Sequence, residues 1–569
     1  MSITKKERPD KASRTIVFAT FESEFAPCGG LAAVMKIFPK RLAESHSCFT
    51  MAPYFRNITS KKPAAEKIRD TGLSFSMDFD WQKRDVRILE HVDDNGYRTF
   101  LLDSAGYFTA PRDPYINPGD SEKLLLDSLF FCAAFPRALV ELGQTSNLVL
   151  HLQDWETSAI AHTVNNEERI VSAGYVQTLH NPYDRGISSE QAALIGAENL
   201  PGMTVLSKMI PLMSGKLSTV SENFADELTS EPLHKDVFAD HLQPLFLNKG
   251  LVGVDNGIFG ELEFPFSKSA FDAAVKGDFS VIQREKWDRR IRLGEKITSY
   301  LKSIKGNDEF QTWGSGLELS DPAIPVFFFL GRDDPRQKGY DVAAEAISSV
   351  PPGKARYIFT PMPGDEGFEG LGFLKRLAEE RSGEVMVFPF RMDFETFVAL
   401  QQGSSYMVMC SLYEPFGGAN EAYLAGMPVV ARATGGLIQQ VFPYDRASLG
   451  TEGEKILGKY HQKTAKPTGL LYREDSGPDA AADWQRIVDC AYQRESPMGD
   501  RIADRSSVHL WRNMVEGASH SLKAAIDLYT SNQASYAEMI FNGYSILSRF
   551  SWDRAIEGYQ RLYDEICVR

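Results

Sequence analysis

Short apolar runs recur along the first half of the chain, and stretches with helical spacing separate them. The apolar runs, each of which predicts a buried strand, lie at residues 15–19, 49–53, 97–102, 147–152, 173–179, 217–220 and 251–254. Helical spacing is clearest at 31–42 and 123–143. Strands that alternate with helices predict a parallel sheet with helices on both faces.

A second series of strands and helices follows a region of charged helix. Residues 259–325 have few apolar runs, and 284–302 show the clearest helical pattern there. The second series predicts strands at 326–330, 355–360, 384–389, 407–410 and 429–433. A chain of 569 residues is too long for one hydrophobic core. We therefore predict an α/β protein with domains at 1–256 and 257–540 and a closing helix in 541–569.

The composition is that of a soluble globular protein, with 43% hydrophobic and 24% charged residues. A net charge of -14 disfavours a nucleic-acid-binding surface. No apolar stretch has the length of a membrane span, and the charged N-terminal segment lacks the apolar region of a signal peptide. We therefore expect a cytoplasmic protein without a membrane partner. Its cysteines have no paired spacing, which predicts free thiols and no metal site.

Polar residues follow four strands of the first series. Asp154 follows one strand, and His180, Ser221 and Asn256 follow the next three. One polar residue after a strand is more often structural, and Ser221 can simply cap the helix at 224–228. Open α/β sheets nevertheless bind their ligands at the carboxyl ends of the strands, so four such ends in one sheet predict a ligand site.

Two further loops have residues that suit phosphate. Gly29 and Gly30 follow the first strand and open a helix, an arrangement that points backbone N–H groups at an anion above the sheet. Arg332 and Lys338 flank a turn after the strand at 326–330. The planar fork of Arg and the point charge of Lys suit two phosphates. Taken alone, a tight turn explains the glycine pair and a solvated loop explains the two cations.

The stretch 407–437 predicts a strand, a loop and a short helix. The loop carries Glu414, Gly417 and Gly418, and Asn420 opens the helix, whose first turn holds Glu421. Glycines let the backbone approach a ligand, and carboxylates accept hydrogen bonds from sugar hydroxyls. The pattern fits a nucleotide-sugar site, with ordinary loop packing as the alternative.

Several motifs together resemble those of the bacterial glycogen synthases and plant starch synthases, retaining glycosyltransferases with the GT-B fold. The matching segments are Gly29–Ala32, Asp103–Tyr115, Asp154–Trp155, Thr178–Asn181, Asn256–Ile258, Arg432–Leu437 and Phe550–Trp552. The resemblance implies two Rossmann-like domains whose parallel sheets face an interdomain cleft. It also implies a C-terminal helix that crosses back to the first domain.

The resemblance assigns roles to the residues at the predicted site. Arg332 and Lys338 would hold the donor diphosphate, helped by N–H groups of the Gly29–Gly30 loop. Glu414 would contact the transferred sugar and Glu421 the ribose, while His180 and Asp154 would hold the sugar from the other domain. The expected catalytic residues are His180, Asp154, Glu414, Arg332 and Lys338. The expected donor-binding residues are Gly29, Gly30, Asn256, Arg332, Lys338, Gly417, Gly418 and Glu421.

The implied substrates are ADP-glucose or UDP-glucose as donor and an α-glucan as acceptor, with no cofactor or metal, and a homo-oligomer is left open. The sequence departs from the family around both substrates. Pro27–Cys28 replaces Lys-Thr, Gln153 replaces a His, the 332–338 turn has one residue more, and the 414–421 spacing has one residue fewer. A small-molecule or different polysaccharide acceptor is the alternative, and an inactive carbohydrate-binding relative is less favoured. The helical region 493–537 is longer than the family needs.

Overall fold

The computed structural model describes residues 14–307, 310–364, 367–492 and 504–566, and this part of the chain forms two compact units. Unit 1 comprises the described residues of 1–230, 238–259 and 551–569, and unit 2 comprises those of 231–237 and 260–550. The change of unit after Phe259 lies three residues beyond the predicted boundary. Residues 541–550 lie in unit 2, so the return to unit 1 begins at Ser551.

Unit 1 is built on a nine-stranded sheet with helices along its faces. Its strands are β1 (Thr15–Ala19), β2 (Ser47–Pro53), β3 (Ile68–Phe79), β4 (Gln82–Val92), β5 (Arg98–Ser104), β6 (Leu148–Gln153), β7 (Ala173–Leu179), β8 (Leu217–Thr219) and β9 (Leu251–Gly253). Its α-helices before residue 260 are α1 (Gly30–Ala43), α2 (Arg56–Thr59), α3 (Lys123–Glu141), α4 (Ile160–Asn165), α5 (Ser189–Ala193), α6 (Val205–Met209), α7 (Glu222–Ser230) and α8 (Gln243–Lys249).

The strand order in this sheet is β3-β4-β5-β2-β1-β6-β7-β8-β9. The strands from β5 to β9 in that order pair in parallel, as predicted, whereas β3 and β4 form an antiparallel hairpin at one edge. The sequence pattern did not predict this hairpin, because β3 has no apolar run and alternates exposed with half-buried residues. The strand order reverses between β1 and β6, which is where open α/β sheets form their ligand crevice.

Unit 2 is built on a six-stranded sheet. Its strands are β10 (Val326–Arg332), β11 (Arg356–Met362), β12 (Val385–Val387), β13 (Tyr406–Met409), β14 (Val429–Arg432) and β15 (Gly469–Tyr472). Its α-helices are α9 (Lys268–Ala274), α10 (Ser280–Ile304), α11 (Tyr340–Ser348), α12 (Gly372–Glu380), α13 (Phe394–Gly403), α14 (Ala419–Leu424), α15 (Leu437–Gln440), α16 (Thr451–Tyr460), α17 (Ala480–Tyr492), α18 (His509–Ser531) and α19 (Gln533–Ile546). Residues 493–503 of the predicted extra helical region lie outside the described residues.

The strand order in unit 2 is β12-β11-β10-β13-β14-β15, with every pairing parallel. The order reverses between β10 and β13, so the second predicted ligand crevice lies at the ends of these two strands. Of the two predicted phosphate-binding cations, Arg332 is the last residue of β10 and Lys338 follows that strand. Glu414 follows β13. The α/β class predicted for the whole chain is confirmed.

The last helix, α20 (Trp552–Glu565), packs within unit 1 against α1 and the sheet. The ring of Trp552 stacks on Phe38, and its Nε1–H donates to the carbonyl of Ile258 at 2.8 Å. A Cβ on Gly257 would lie only 2.4 Å from that ring, so this position has no room for a larger residue. The return of the C-terminal helix to the first domain is therefore as predicted, and Gly257 has a packing role.

In the described part of the chain, none of the helices is long and apolar enough to cross a bilayer. The described cysteines, at positions 28, 48, 132, 410 and 490, are free thiols as predicted, and Cys567 lies outside the described residues.

Candidate active site

Asp154 and His180, predicted to act together in unit 1, are hydrogen-bonded. Asp154 follows β6, and its Oδ1 accepts the backbone N–H of His180 at 2.6 Å while its Oδ2 accepts Asn181 Nδ2 at 3.4 Å. The backbone of Asp154 has a φ of 56°, a strained conformation for a residue other than glycine. Burial raises the pKa of Asp154 to about 7. Strained backbone and a perturbed carboxyl at a sheet crevice are typical of functional sites.

The ring of His180 is fixed by Gln153, the residue that stands where the related synthases have a His. Its Nε2–H donates to Gln153 Oε1 at 2.7 Å. Because an amide oxygen can only accept, Nε2 has the proton and Nδ1 is left as an acceptor. Burial lowers the pKa of His180 to about 3, so the ring is neutral at physiological pH. The substitution at 153 therefore preserves a defined tautomer of the neighbouring histidine.

We expect Gln153→Leu to lower turnover about tenfold, which corresponds to about 1.4 kcal/mol in the barrier. The leucine removes the acceptor and frees the His180 ring to change tautomer or rotate. Nitrogen-15 NMR of the His180 ring should show a mixed tautomer in this variant and one tautomer in the unaltered protein. Gln153→His, which restores an acceptor, is the control and should retain most of the activity. A single unchanged tautomer in Gln153→Leu would contradict this role.

Two more polar residues of unit 1 have side-chain oxygens without a partner among the described residues. Asn256 is 4% exposed, and its Oδ1 accepts no hydrogen bond. Glu156 is 5% exposed, and its Oε2 is likewise unpaired. Burial, together with the nearby charge of Asp154, raises the pKa of Glu156 well above its usual value. An unpaired buried acceptor is costly, so the Oδ1 of Asn256 is available to a ligand donor.

The structure changes the predicted role of Gly29. Its N–H was expected to face a donor phosphate, but it donates to Glu22 Oε1 at 2.5 Å. The same oxygen accepts the N–H of Cys28 at 2.8 Å and of Ala32 at 3.2 Å. Sequence reasoning missed Glu22. The available signal was an acidic residue shortly before a Gly-Gly pair that opens a helix, since a helix N-terminus attracts carboxylates.

In unit 2, Lys338 and Glu414 form an ion pair at the ends of β10 and β13. The Nζ of Lys338 lies 2.8 Å from Glu414 Oε2, which also accepts Ser411 Oγ at 2.8 Å. The side chain of Glu414 is 9% exposed and that of Lys338 is 20% exposed. A Cβ on Gly339 would lie 2.1 Å from the carbonyl oxygen of Cys410, so glycine lets the Lys338 turn lie against the end of β13. The structure thus brings together Lys338, which was predicted to bind phosphate, and Glu414, which was predicted to contact the sugar.

Arg332, the other predicted phosphate ligand, is the last residue of β10 and is half-buried. The turn after it is ordered by backbone hydrogen bonds, including one from Asp333 N–H to Met362 at 2.7 Å. A pocket beside this turn is lined in part by Lys338, Tyr340 and Ser411. Lys338 therefore lines a pocket in unit 2, and Glu414 contacts Lys338.

The glycines after Glu414 have packing roles of their own. Gly417 has a φ of 89°, which favours glycine, and a Cβ on Gly435 would lie only 1.7 Å from the carbonyl oxygen of Glu414. The Gly-Gly pair of the Arg432–Leu437 motif therefore lies directly against the Glu414 loop. Gly418 is the N-terminal capping residue of α14. A Cβ at this position would lie 3.7 Å from the carboxylate of Glu421.

The prediction that Asn420 opens the helix is wrong. The helix begins at Ala419, and no side chain caps it. Asn420 is its second residue and is fully buried, and neither polar atom of its amide has a partner among the described residues. Glu421 remains in the first turn of α14, as predicted.

Arg432 is a buried residue that sequence reasoning did not assign to the site. Its Nε and Nη2 donate to Glu474, and its Nη1 donates to the carbonyl of Leu412 at 2.5 Å. Its guanidinium also lies 5.4 Å from the centre of the Trp484 ring. Leu412 lies two residues before Glu414, so Arg432 ties the loop that holds this carboxylate to β14.

Comparison with known proteins identifies similar sequences and folds. Residues 15–244 match the family model of the starch synthase catalytic domain. Residues 307–487 match a model described as family 4 glycosyltransferase in conflict systems. The glycogen synthase of Clostridium novyi (strain NT) is 23% identical over 452 residues, covering 76% of this chain and 85% of the relative. That of Anaeromyxobacter sp. (strain Fw109-5) is 25% identical over 470 residues, covering 75% and 86%.

Among solved structures, the catalytic domain of starch synthase IV from Arabidopsis thaliana, bound to ADP and acarbose, matches with a TM-score of 0.66. It is 17% identical, and the match covers 97% of this chain and 99% of the other. At this identity the match concerns the fold. The resemblance to the glycogen and starch synthases drawn from the motifs is confirmed, and the chain has the GT-B fold.

Proposed function

We propose that the protein transfers glucose, with retention of configuration, from ADP-glucose or UDP-glucose to the non-reducing end of an α-1,4-glucan. The observation that carries the proposal is the contact between Lys338 and Glu414 at the switch point of unit 2. It places a cation that suits phosphate beside a carboxylate that suits sugar hydroxyls. The similarity to glycogen synthases supports glucose as the sugar and a glucan as the acceptor.

In this proposal, donor binding replaces the ion pair of the ligand-free protein. Lys338 leaves Glu414 for a phosphate oxygen, and Arg332 supplies a second positive charge. These cations stabilise the negative charge that develops on the diphosphate as the glycosidic bond breaks. Glu414 keeps its hydrogen bond from Ser411 and accepts further ones from sugar hydroxyls. Glu421, in the first turn of α14, accepts from the ribose hydroxyls.

The residues of unit 1 act on the sugar. Asp154 holds the backbone N–H of His180, so the peptide and ring of His180 keep one orientation. The carbonyl oxygen of His180 would stabilise the positive charge that develops at the anomeric carbon, and its neutral Nδ1 would accept from a hydroxyl. Asn256 Oδ1, which has no protein partner in the described residues, is a further acceptor for a sugar hydroxyl.

A different acceptor is the second candidate. Among the departures from the synthase pattern, Gln153 ends β6 and contacts His180, which this proposal assigns to the sugar. A small-molecule or other polysaccharide acceptor with the same donor class is consistent with this change beside a sugar-binding residue.

A donor screen tests both candidates. We expect ADP or UDP to raise the melting temperature, since ligand at a hundred times its Kd adds about 2.7 kcal/mol to the free energy of unfolding. The matching glucose donor should release nucleotide when glycogen is added, and GDP-mannose serves as the control. Release only with a small acceptor would favour the second candidate. No stabilisation by ADP, UDP or their glucose conjugates would overturn both.

A further inference from the structure

The N-terminus of α1 is occupied by a side chain of the protein itself. The Glu22 side chain is buried, at 3% exposure, and one of its oxygens accepts the N–H groups of Cys28, Gly29 and Ala32. Its other oxygen accepts the hydroxyl of Tyr115 at 3.1 Å. Four donors therefore converge on one carboxyl group, which is close to all that its two oxygens can accept.

These N–H groups are the ones that an anion at this helix N-terminus would use. A phosphate could bind them only by displacing Glu22, and the buried carboxyl would then lose three of its four hydrogen-bond donors. The chain also has Pro27–Cys28 where the related synthases have Lys-Thr, so the loop lacks the lysine that would attract a phosphate. An acidic side chain thus binds backbone N–H groups of the loop that was expected to face a donor phosphate.

The contact with Tyr115 connects two loops of unit 1. Tyr115 ends the Asp103–Tyr115 segment, which follows β5, whereas Glu22 follows β1. Among the described residues, Glu22 forms no ion pair, so its contacts are all hydrogen bonds that hold backbone and hydroxyl groups in place. Fixing both loops through one carboxyl defines the shape of this edge of the sheet.

We propose that Glu22 is a positioning residue that locks the α1 N-terminus to Tyr115 and excludes the donor diphosphate from this helix. The inference rests on the proposed function, because it leaves the diphosphate to the cations of unit 2. It also gives the Gly29–Gly30 loop a structural role in place of a phosphate-binding one.

Three variants test this role of Glu22. Glu22→Gln keeps an accepting oxygen and removes the acidic group. Glu22→Ala removes all four hydrogen bonds, and Tyr115→Phe removes only the one from the hydroxyl. In Glu22→Gln, the Kd for ADP or UDP, measured by calorimetry, should stay within twofold of the unaltered protein. In Glu22→Ala, amide exchange at Gly29 and Ala32 should accelerate at least tenfold, and in Tyr115→Phe it should change less than threefold.

Two results would overturn the proposal. Nucleotide binding at least fivefold tighter or weaker in Glu22→Gln would show that the α1 N-terminus takes part in holding the diphosphate. Unchanged exchange at Gly29 and Ala32 in Glu22→Ala would show that Glu22 does not fix the helix start. If Glu22→Ala does not fold, Glu22→Leu, which also lacks an accepting oxygen, replaces it with the same threshold. Failure of the proposed function would appear separately, as absence of nucleotide binding in the unaltered protein.

Discussion

Replacing Lys338 by Ala is expected to abolish most of the turnover while the fold stays intact. Loss of one preorganised group that stabilises developing charge costs about 2.7–4 kcal/mol, or about 10²–10³-fold in kcat. The cation is pre-positioned, since its turn lies against the end of β13 and its Nζ already contacts Glu414. Nucleotide release from the donor found in the screen measures the effect, and circular dichroism checks the fold.

Arg336 provides a matched control in the same turn. It pairs with Asp334 at 3.1 Å, and its side chain is about as exposed as that of Lys338, at 24%. Arg336→Ala should therefore change turnover by less than about threefold, since removing a local surface pair costs under about 1 kcal/mol. Unchanged turnover in Lys338→Ala, or an equal loss in Arg336→Ala, would refute the assignment of Lys338 to the donor phosphate.

Lys338→Ala can lower turnover in two ways, by removing the cation and by leaving Glu414 without its ion-pair partner. Without Lys338, Glu414 keeps the hydrogen bond from Ser411 and remains a buried carboxylate. Part of the loss can therefore come from a disturbed Glu414 rather than from the missing cation. Binding of ADP or UDP, which has no glucose for Glu414 to contact, separates the two causes. If the phosphate role of Lys338 dominates, Lys338→Ala weakens this binding and Glu414→Gln leaves it nearly unchanged.

The order of strands and helices could be predicted because the buried strands are apolar and the helices between them have regular spacing. Strand β7 was predicted at its observed bounds, and the cap of α7 by Ser221 is confirmed by its hydrogen bond from Phe224 N–H at 3.2 Å. The hairpin of β3 and β4 was missed because β3 has no apolar run and mostly alternates exposed with half-buried residues.

The site was predictable as far as it depends on strand ends. Asp154, Lys338 and Glu414 follow strands that flank a switch point, and His180 follows β7, the neighbour of β6, so the parallel topology brings each pair together. Glu22 was not predictable in the same way, because its contacts depend on how the loop between β1 and α1 folds back on itself. That loop geometry leaves no periodic signal in the sequence.

Arg432 shows a second limit of sequence reasoning. Its motif matched a known family, but its partner Glu474 lies 42 residues later, after β15. The contact exists because β14 and β15 are neighbours in the sheet, with Arg432 opposite Tyr472. Spacing along the chain cannot reveal a pair that depends on which strands are adjacent. The loop of Glu414 is therefore supported from a part of unit 2 that the motif alone did not indicate.

Arg432→Met is expected to lower the free energy of unfolding by about 3–5 kcal/mol, the usual cost of breaking a buried ion pair by removing one partner. Both side chains are only 3% exposed, so Glu474 would be left as a buried charge without its partner. The variant also loses the hydrogen bond to Leu412 and the contact with Trp484. Urea denaturation followed by the fluorescence of the protein measures the change.

The double variant Arg432→Met, Glu474→Leu separates the buried charge from the lost packing. Replacing both partners by apolar residues of similar size removes the uncompensated carboxylate, so it should recover at least half of the stability lost in the single variant. Turnover should stay low in both variants, because neither restores the Arg432 contact that ties the Glu414 loop to β14. A double variant less stable than Arg432→Met would contradict this account. Recovered turnover would show that the Glu414 loop keeps its position without Arg432.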